Sequence, residues 1–144
     1  MEFVESQDYE KSIDIIKSEM VSYYSDNNLI WDDESKLALY RECRLWTIRD
    51  GKDIGFAMTR EVDDNFYLAE LHIESAHRNK GYGLKSLQLA RDLAADFGYA
   101  EIRIKVFKNN PAYKLYLRAG YTMEKELAYT YQLVAKTHSN QIKS

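Results

Sequence analysis

Apolar residues recur along the chain with two different periods, and the period indicates which element each stretch forms. Spacings of three and four residues are typical of amphipathic helices, whereas strict alternation is typical of strands. Ile13, Ile16 and Met20 recur at helical spacing and predict a helix from Tyr9 to Tyr24. In the stretch EIRIKVF, apolar and charged residues alternate, which predicts a strand at 101–107.

The whole pattern predicts four helices and seven strands in mixed order. The helices are predicted at 9–24, 33–40, 83–97 and 111–119. The strands are predicted at 2–6, 44–49, 53–60, 66–73, 101–107, 121–127 and 129–135. This order predicts an α/β fold in a single domain over residues 1–135, followed by a polar tail at 136–144.

Composition narrows the class of protein without identifying it. The chain has 144 residues, of which 45% are hydrophobic and 30% are charged, as is typical of one globular domain. The net charge of -3 offers no basic field for a nucleic-acid backbone, so we expect no nucleic-acid partner. No apolar run approaches the roughly 18 residues of a membrane-spanning helix, so we expect no membrane insertion.

Cysteine content and N-terminal composition bear on the cellular compartment. Cys43 is the only cysteine, which excludes an intramolecular disulfide and a cysteine-rich metal site. The opening residues MEFVESQDYEKS lack the apolar region of a secretory signal. We therefore expect a cytoplasmic protein that binds no metal.

The segment LAELHIESAHRNKGYG, from Leu68 to Gly83, carries the first candidate chemistry. It places a strand, a basic loop with glycines and a helix start in that order. A helix start has unpaired N–H groups and partial positive charge, and glycine lets a backbone approach a ligand closely. These properties favour a phosphate or diphosphate ligand, although a helix start with solvated basic residues has the same pattern. The loop matches neither the P-loop nor the GxGxxG dinucleotide motif.

A second stretch, NNPAYKLYLRAGY, follows a predicted strand. Together the two stretches resemble the GNAT superfamily of N-acetyltransferases. The superfamily's coenzyme loop, Arg/Gln-x-x-Gly-x-Gly/Ala, is matched by Arg78, Gly81 and Gly83. Its later motif, Asn-x-x-Ala-x-x-Leu/Phe-Tyr-x-x-x-Gly-Phe/Tyr, is matched at Asn109, Ala112, Leu115, Tyr116, Gly120 and Tyr121. The family often has proline shortly before the loop arginine, where this chain reads ESAH, so we expect a differently shaped exit from the strand.

The resemblance implies a fold and a cosubstrate. The implied fold is a mixed, mostly antiparallel seven-stranded sheet flanked by helices, with two parallel central strands that splay apart. The implied cosubstrate is acetyl-CoA, whose pantetheine arm pairs with the backbone of Leu71, His72 and Ile73. The diphosphate is expected on the amides of Arg78, Asn79, Lys80, Gly81, Tyr82 and Gly83. Asn109 is expected to bond to the arm, or otherwise to cap a helix.

Catalytic roles also follow from the resemblance. Tyr116 matches the tyrosine near the coenzyme sulfur and is expected to be the general acid, or otherwise a core residue. Glu70 is expected to be the general base, directly or through a water, or otherwise a carboxylate paired with a basic neighbour. His72 is the alternative base, because its usual pKa suits proton transfer near neutral pH. The amide of Leu71 is expected to polarise the thioester carbonyl.

The N-terminal helices shape the acceptor pocket in this family. Here they carry aromatic rings, of which we expect Tyr23 and Trp31 to contact the substrate. Carboxylates lie close by in the sequence, at Asp26, Asp32, Asp33 and Glu34. Rings and carboxylates together attract a cationic amine, although a solvated acidic turn over packed aromatic residues fits the pattern as well.

We therefore expect an N-acetyltransferase that moves an acetyl group from acetyl-CoA directly to a primary amine of a small molecule. A protein or peptide N-acetyltransferase is the catalytic alternative, and a coenzyme-A-binding sensor is the non-catalytic alternative. The last strands of this family often build dimers, so homodimerisation stays open as well.

Overall fold

The computed structural model describes residues 1–137. The helices are α1 (Tyr9–Asp26), α2 (Asp33–Arg41), α3 (Tyr82–Asp96) and α4 (Ala112–Arg118). The strands are β1 (Glu2–Ser6), β2 (Arg44–Arg49), β3 (Asp53–Val62), β4 (Asn65–Ile73), β5 (Glu101–Phe107), β6 (Thr122–Glu126) and β7 (Thr130–Lys136). A short 3-10 turn, Ser75–His77, follows β4. Every predicted helix and strand is therefore present, in the predicted order.

The strands form one sheet in the order β1-β2-β3-β4-β5-β7-β6. All neighbours are antiparallel except β4 and β5, which run parallel. The parallel pairing joins only Tyr67 to Arg103 and Leu68 to Ile104, and the two strands diverge beyond it. This confirms the predicted mixed, mostly antiparallel sheet with two splayed central strands.

Helices cover both faces of the sheet, and a hydrophobic cluster lies on each face. On one face, Leu87 of α3 packs with strand residues such as Leu68. On the other face, Ile16 of α1 and Tyr40 of α2 pack with Met58 of β3. The sheet is therefore the middle layer, and its central strands connect the two helical layers.

Some element bounds differ from the predicted ones by one or two residues. β3 runs to Val62 rather than Arg60, because it pairs with β4 as far as Asn65. α1 likewise runs two residues further than predicted. α3 begins at Tyr82, because Gly81, with a φ of 83°, is its N-cap residue.

The predicted boundary between domain and tail also shifts. β7 runs to Lys136 rather than ending at residue 135. Thr137 is buried, and its hydroxyl donates to the carbonyl of Tyr99 at 2.7 Å. Lys136 and Thr137 therefore belong to the folded part of the chain, while the rest of the predicted tail lies outside the described residues.

Candidate active site

A cavity of about 1020 Å³ opens where β4 and β5 diverge. Its lining comes from α1 and α2, from the loop before α3, from α4, and from the central strands. Most of the predicted site residues line it, namely Tyr23, Glu70, Leu71, His72, Ile73, Arg78, Asn79, Gly81, Tyr82, Gly83 and Tyr116. Lys80, Asn109 and Trp31 are the predicted site residues that do not line it.

The second half of β4 has one paired edge and one open edge. Leu71, His72 and Ile73 pair with β3 on one side. On the other side, no described residue of β5 pairs with β4 beyond Leu68. An open strand edge offers N–H and C=O groups to an extended ligand, as when a peptide pairs with a sheet edge. The geometry therefore suits the predicted pantetheine arm.

The loop before α3 presents backbone donors beside this edge. Gly81 has a φ of 83° and Asn79 a φ of 62°, so the chain turns sharply before the helix. Within residues 1–137, no backbone carbonyl accepts a hydrogen bond from the N–H groups of Asn79, Lys80 or Gly81. The amide of Arg78, by contrast, donates to the carbonyl of Ser75 at 3.3 Å. Open donors at the positive end of α3 suit a diphosphate group.

Arg78 ties this loop to neighbouring elements. Its Nε donates to the carbonyl of Ile73 at 2.8 Å, and its Nη2 donates to the Glu19 carboxylate of α1 at 3.0 Å. Just before it, the residues ESAH form a 3-10 turn in which the His77 amide donates to the Glu74 carbonyl at 2.8 Å. This turn is the exit from β4 at the place where the GNAT-like pattern often has proline.

A β-bulge sets the direction of the Glu70 side chain. The register between β3 and β4 shifts so that Ala69 is an extra residue on β4. Leu68 packs in the cluster on the α3 side, whereas Glu70 reaches the α2 side and accepts a hydrogen bond from the Tyr40 hydroxyl at 3.0 Å. Without the bulge, residues 68 and 70 would share one face of the strand.

The environment of Glu70 shifts its proton affinity into the neutral range. Burial raises the pKa of Glu70 to about 7. The hydrogen bond from Tyr40 and the charge of Lys36 oppose this rise in pKa, because both stabilise the carboxylate. A carboxyl group with such a pKa gains and loses protons near neutral pH, as a general base must.

Tyr116 lines the cavity from α4. Burial, and then the negative charge of Glu70, raise the pKa of its phenol, so the hydroxyl is protonated at neutral pH. A protonated phenol can donate to a departing thiolate. The ring of Tyr121 lies 6.2 Å from that of Tyr116, and its buried hydroxyl has no hydrogen-bond partner among residues 1–137.

His72 shares one face of β4 with Glu70, because the two are separated by a single residue. Its ring stacks on that of Phe56 with 5.3 Å between centroids, and its Nδ1 lies 3.8 Å from the Glu19 carboxylate. Burial lowers the pKa of His72, so the neutral imidazole predominates at neutral pH. Both candidate bases therefore line the same cavity.

Asn109 lies at the junction of α1 and α4 rather than in the cavity lining. Its Nδ2 is 3.5 Å from Asp26 Oδ2 at the end of α1. The neighbouring Asn110 accepts a hydrogen bond from the Ala112 amide at 2.9 Å and so caps the first turn of α4. The capping role considered for Asn109 thus belongs to Asn110, and its contact with the coenzyme arm stays a prediction.

Three aromatic rings of α1 and β5 lie together in the lining of the cavity, and we call Tyr23, Tyr24 and Phe107 the aromatic wall. The ring of Tyr23 stacks on that of Phe107 at 5.9 Å, and the ring of Tyr24 meets Phe107 edge-on at 5.5 Å. Trp31 packs on Tyr24 at 5.2 Å. Trp31 thus contacts a ring that lines the cavity, and its own contact with the substrate stays a prediction.

Asp32 and Asp33, at the start of α2, do not line the cavity and have partners elsewhere. Asp32 caps α2 by accepting from an amide of its first turn at 3.3 Å, and Asp33 pairs with Lys17 at 2.9 Å. The cation over the aromatic wall is the chain's own Lys36, whose Nζ lies 4.8 Å from the centroid of Tyr24. The engagement of Asp32 and Asp33 favours the alternative of an acidic turn beside packed aromatic rings.

Comparison with known families identifies this arrangement. The model of the acetyltransferase (GNAT) family matches residues 12–121. The chain belongs to the GNAT family. The curated mycothiol acetyltransferase of Amycolatopsis mediterranei (strain U-32) is 37% identical to it over 81 residues, which are 54% of this chain. The chain spans about a quarter of the length of that relative, namely 26%.

Solved GNAT structures share the fold. The PaiA N-acetyltransferase from Thermoplasma acidophilum, solved with coenzyme A, has a TM-score of 0.66 at 16% identity. That likeness covers 94% of this chain and 99% of the other. A spermidine N-acetyltransferase chimera from Vibrio cholerae has a TM-score of 0.63 at 18% identity, over 79% of this chain and 84% of the other. At these identities the likeness shows the fold alone.

Lys36 was not predicted from the sequence as part of this GNAT site, and Tyr40 was expected only as one of the aromatic rings on the N-terminal helices. Lys36 and Tyr40 lie one turn apart on α2, and both line the cavity. Their helical spacing was visible in the sequence, but the docking of α2 on β4 was not. In the part of the chain that the structure describes, no three His, Cys, Asp or Glu side chains are grouped to hold a metal ion. None of the described helices has the length and apolar content to cross a membrane.

Proposed function

We propose that this GNAT protein transfers an acetyl group from acetyl-CoA directly to a primary amine of a small molecule. The observation that carries the proposal is the meeting of Glu70 and Tyr116 in one cavity, where burial, and then the charge of Glu70, raise the pKa of the tyrosine. The coenzyme A in the Thermoplasma acidophilum structure supports acetyl-CoA as the donor. The spermidine and mycothiol acetyltransferases among its relatives support an amine of small size.

Backbone groups would hold the donor in this proposal. The N–H groups of Asn79, Lys80 and Gly81 would bind the diphosphate, and the open edge of β4 would pair with the pantetheine arm. The amide of Leu71, within that edge, would donate to the thioester oxygen. Such a donor stabilises the negative charge that develops on the oxygen during attack.

The reaction forms an amide C–N bond and breaks the thioester C–S bond. Glu70, as a carboxylate, accepts one proton from the acceptor ammonium, directly or through a water, and thereby frees the nitrogen lone pair. Tyr116 donates its proton to the departing sulfur, so coenzyme A leaves as the thiol. The second proton of the nitrogen returns through solvent to Tyr116. The net products are the acetylated amine, the thiol and one proton.

The shape of the acceptor side favours a small molecule over a protein. Tyr23 and Tyr24 of α1 both contact Phe107 of β5, so aromatic rings join the two elements at the end of that strand. A protein acceptor needs a groove that is open at both ends for an extended chain. The aromatic wall between α1 and β5 therefore supports an acceptor pocket rather than an open groove.

A thiol-release assay tests the proposal. The protein and acetyl-CoA are mixed with a panel of small amines and peptides, free coenzyme A is followed with a thiol-reactive dye, and products are identified by mass. We expect release with at least one small amine, faster than with any peptide. Release with peptides alone would favour a protein N-acetyltransferase, and tight coenzyme binding without any release would favour a sensor.

A further inference from the structure

Lys36 of α2 is half-buried and lines the cavity beside the aromatic wall. Its Nζ is 4.8 Å from the ring centroid of Tyr24, 5.3 Å from that of Trp31 and 6.0 Å from that of Tyr40. The faces of aromatic rings attract a cation, and these three rings surround the same ammonium group. The positive charge is therefore held at the cavity.

Lys36 forms no ion pair with a carboxylate within residues 1–137. Its neighbours Lys17 and Arg60, by contrast, each pair with a carboxylate, at 2.9 Å and 3.1 Å. Lys105 of β5 lines the same cavity, is exposed, and also forms no ion pair with a described residue. Two ammonium groups that form no ion pair within the described part of the chain thus line the cavity, and the charge of one of them, Lys36, acts on the Glu70 carboxylate.

Two carboxylates line the cavity among the described residues, and both have other partners. Glu19 pairs with Arg78 at 3.0 Å beside the coenzyme loop. Glu70 accepts the hydrogen bond of Tyr40 and is the proposed proton acceptor. The cavity therefore has more cationic than anionic side chains in its lining, whereas one of the two interpretations of the sequence placed carboxylates there.

We infer that the acceptor carries an anionic group, a carboxylate or a phosphate, besides the amine that is acetylated, and that Lys36 binds this group. The inference rests on the proposed acetyl transfer and specifies its substrate class. An anionic group beside Lys36 gains a charge-assisted hydrogen bond in a partly desolvated place. A polyamine would bring a second cation towards Lys36 and Lys105 and would be repelled.

The positions of the two groups set the size of the acceptor. The Lys36 ammonium lies 6.0 Å from the ring centroid of Tyr40, and the Tyr40 hydroxyl reaches Glu70 at 3.0 Å. With the amine at Glu70 and the anionic group at Lys36, a chain of about three to six atoms joins them. The acceptor has the dimensions of an amino acid or a small aminoalkyl phosphate.

Matched amines of equal length test the inference. The carboxylate series consists of aminobutyrate, butylamine and diaminobutane, which differ in the charge of one end only. The phosphate series consists of aminopropyl phosphate and its neutral partner aminopropanol. Thiol release gives kcat/KM for each amine. For the wild-type protein we expect kcat/KM for the anionic amine of one series to be about tenfold higher than for its neutral partner. Diaminobutane should have the lowest kcat/KM. The series with the larger preference for its anionic amine shows whether the anionic group is a carboxylate or a phosphate.

Variants of Lys36 assign the preference to this residue. Lys36→Gln should bring the anionic and neutral amines to similar kcat/KM values, and Lys36→Glu should place diaminobutane above aminobutyrate. Lys11→Glu is the control, because it makes the same charge change at an exposed position of α1 that does not line the cavity. It should keep the wild-type order. Coenzyme A affinity and far-UV circular dichroism of each variant verify that the fold is kept.

The outcomes separate this inference from the proposed function. Thiol release that is fastest with neutral or cationic amines, or a preference that Lys36→Glu leaves unchanged, would overturn the inference and leave the transferase function standing. Absence of release with every amine would contradict the transferase function itself. In that case, calorimetric binding of aminobutyrate and aminopropyl phosphate to the coenzyme A complex decides the inference. Binding that Lys36→Glu abolishes supports it, and no binding to the wild-type complex overturns it.

Discussion

The protonation of Glu70 depends on a hydroxyl group from another element. Tyr40 of α2 donates to Glu70 Oε2 across the cavity wall at 3.0 Å. Burial favours the neutral carboxyl group, whereas this hydrogen bond and then the charge of Lys36 favour the carboxylate, so the pKa of about 7 is the balance of these effects. About half of the Glu70 side chains are therefore carboxylates near neutral pH. A small change in the surroundings of Glu70 should then change the rate of acetyl transfer.

Replacing Tyr40 by Phe tests this balance. The variant keeps the buried ring but removes the donor, so the pKa of Glu70 should rise. Because the base must be deprotonated, wild-type kcat/KM should increase with pH through about 7 and then level off. In Tyr40→Phe the increase should move to higher pH, which makes kcat/KM roughly fivefold lower at pH 7. Superimposable pH profiles for both proteins would contradict the assignment of Glu70 as the base.

Replacing Tyr116 by Phe tests the general acid. Loss of the proton donor should lower kcat by about a hundredfold or more, while calorimetry should show unchanged affinity for coenzyme A. Tyr121→Phe is a matched control, since it removes a hydroxyl that has no described hydrogen-bond partner from a neighbouring buried ring. The control should keep wild-type kcat. Equal effects of the two substitutions would show that Tyr116 acts through packing alone.

At the residue scale, motif positions could be predicted and tertiary partners could not. Gly81, Glu70 and Tyr116 were found because their types and spacing match a local pattern. The partnership of Tyr40 with Glu70 joins two elements 30 residues apart and depends on how α2 docks. For the same reason, the carboxylates near Trp31 suggested a cationic substrate, whereas the folded chain places Lys36 over the rings.

At the element scale, the close approach of β3 and β4 supports the site. Gly55 lies opposite Ile73, and a Cβ at residue 55 would lie 2.0 Å from the His72 carbonyl oxygen. The obstructing atom belongs to the backbone of β4, so it cannot move aside as a side chain could. The strand segment proposed to bind the pantetheine arm therefore depends on glycine at this position.

Gly55→Ala should destabilise the protein. The added methyl group must push β4 away, and we expect the free energy of unfolding to fall by about 1–3 kcal/mol, with weaker binding of coenzyme A. Urea unfolding measures the first effect and calorimetry the second. In the control Gly83→Ala, the new Cβ would meet only the flexible Leu115 Cδ2, at 3.1 Å, so stability should stay near wild type. Equal stability of the Gly55→Ala and wild-type proteins would contradict the close approach.

Whole helices and strands could be predicted from the sequence, but the β-bulge that sets the direction of the Glu70 side chain could not. Strands and helices follow from the hydrophobic period, which is a property of local sequence. The bulge at Ala69 depends instead on the register with β3, and the stretch LAEL is compatible with a regular strand. Similarly, β3 reaches Val62 because β4 offers partners there, not because residues 61 and 62 continue an apolar alternation.

At the scale of the whole molecule, the arrangement of the sheet creates the site. β5 pairs with β4 only through Arg103 and Ile104, but with β7 along its whole length, so the later parts of β4 and β5 are separated. The gap leaves one edge of β4 open, with the loop donors of α3 at one end and Glu70 and Tyr116 in the lining. No local pattern encodes this gap. It could be predicted only through the resemblance to the GNAT family.

A crystal structure with bound acetyl-CoA tests this arrangement most directly. We expect the diphosphate on the N–H groups between Asn79 and Gly83, and the pantetheine arm paired with the open edge at Leu71–Ile73. The sulfur should lie within hydrogen-bonding distance of the Tyr116 hydroxyl, with the thioester near Glu70. A complex in which acetyl-CoA lies outside the gap between β4 and β5, or in which its sulfur is remote from Tyr116, would contradict the site and the mechanism together.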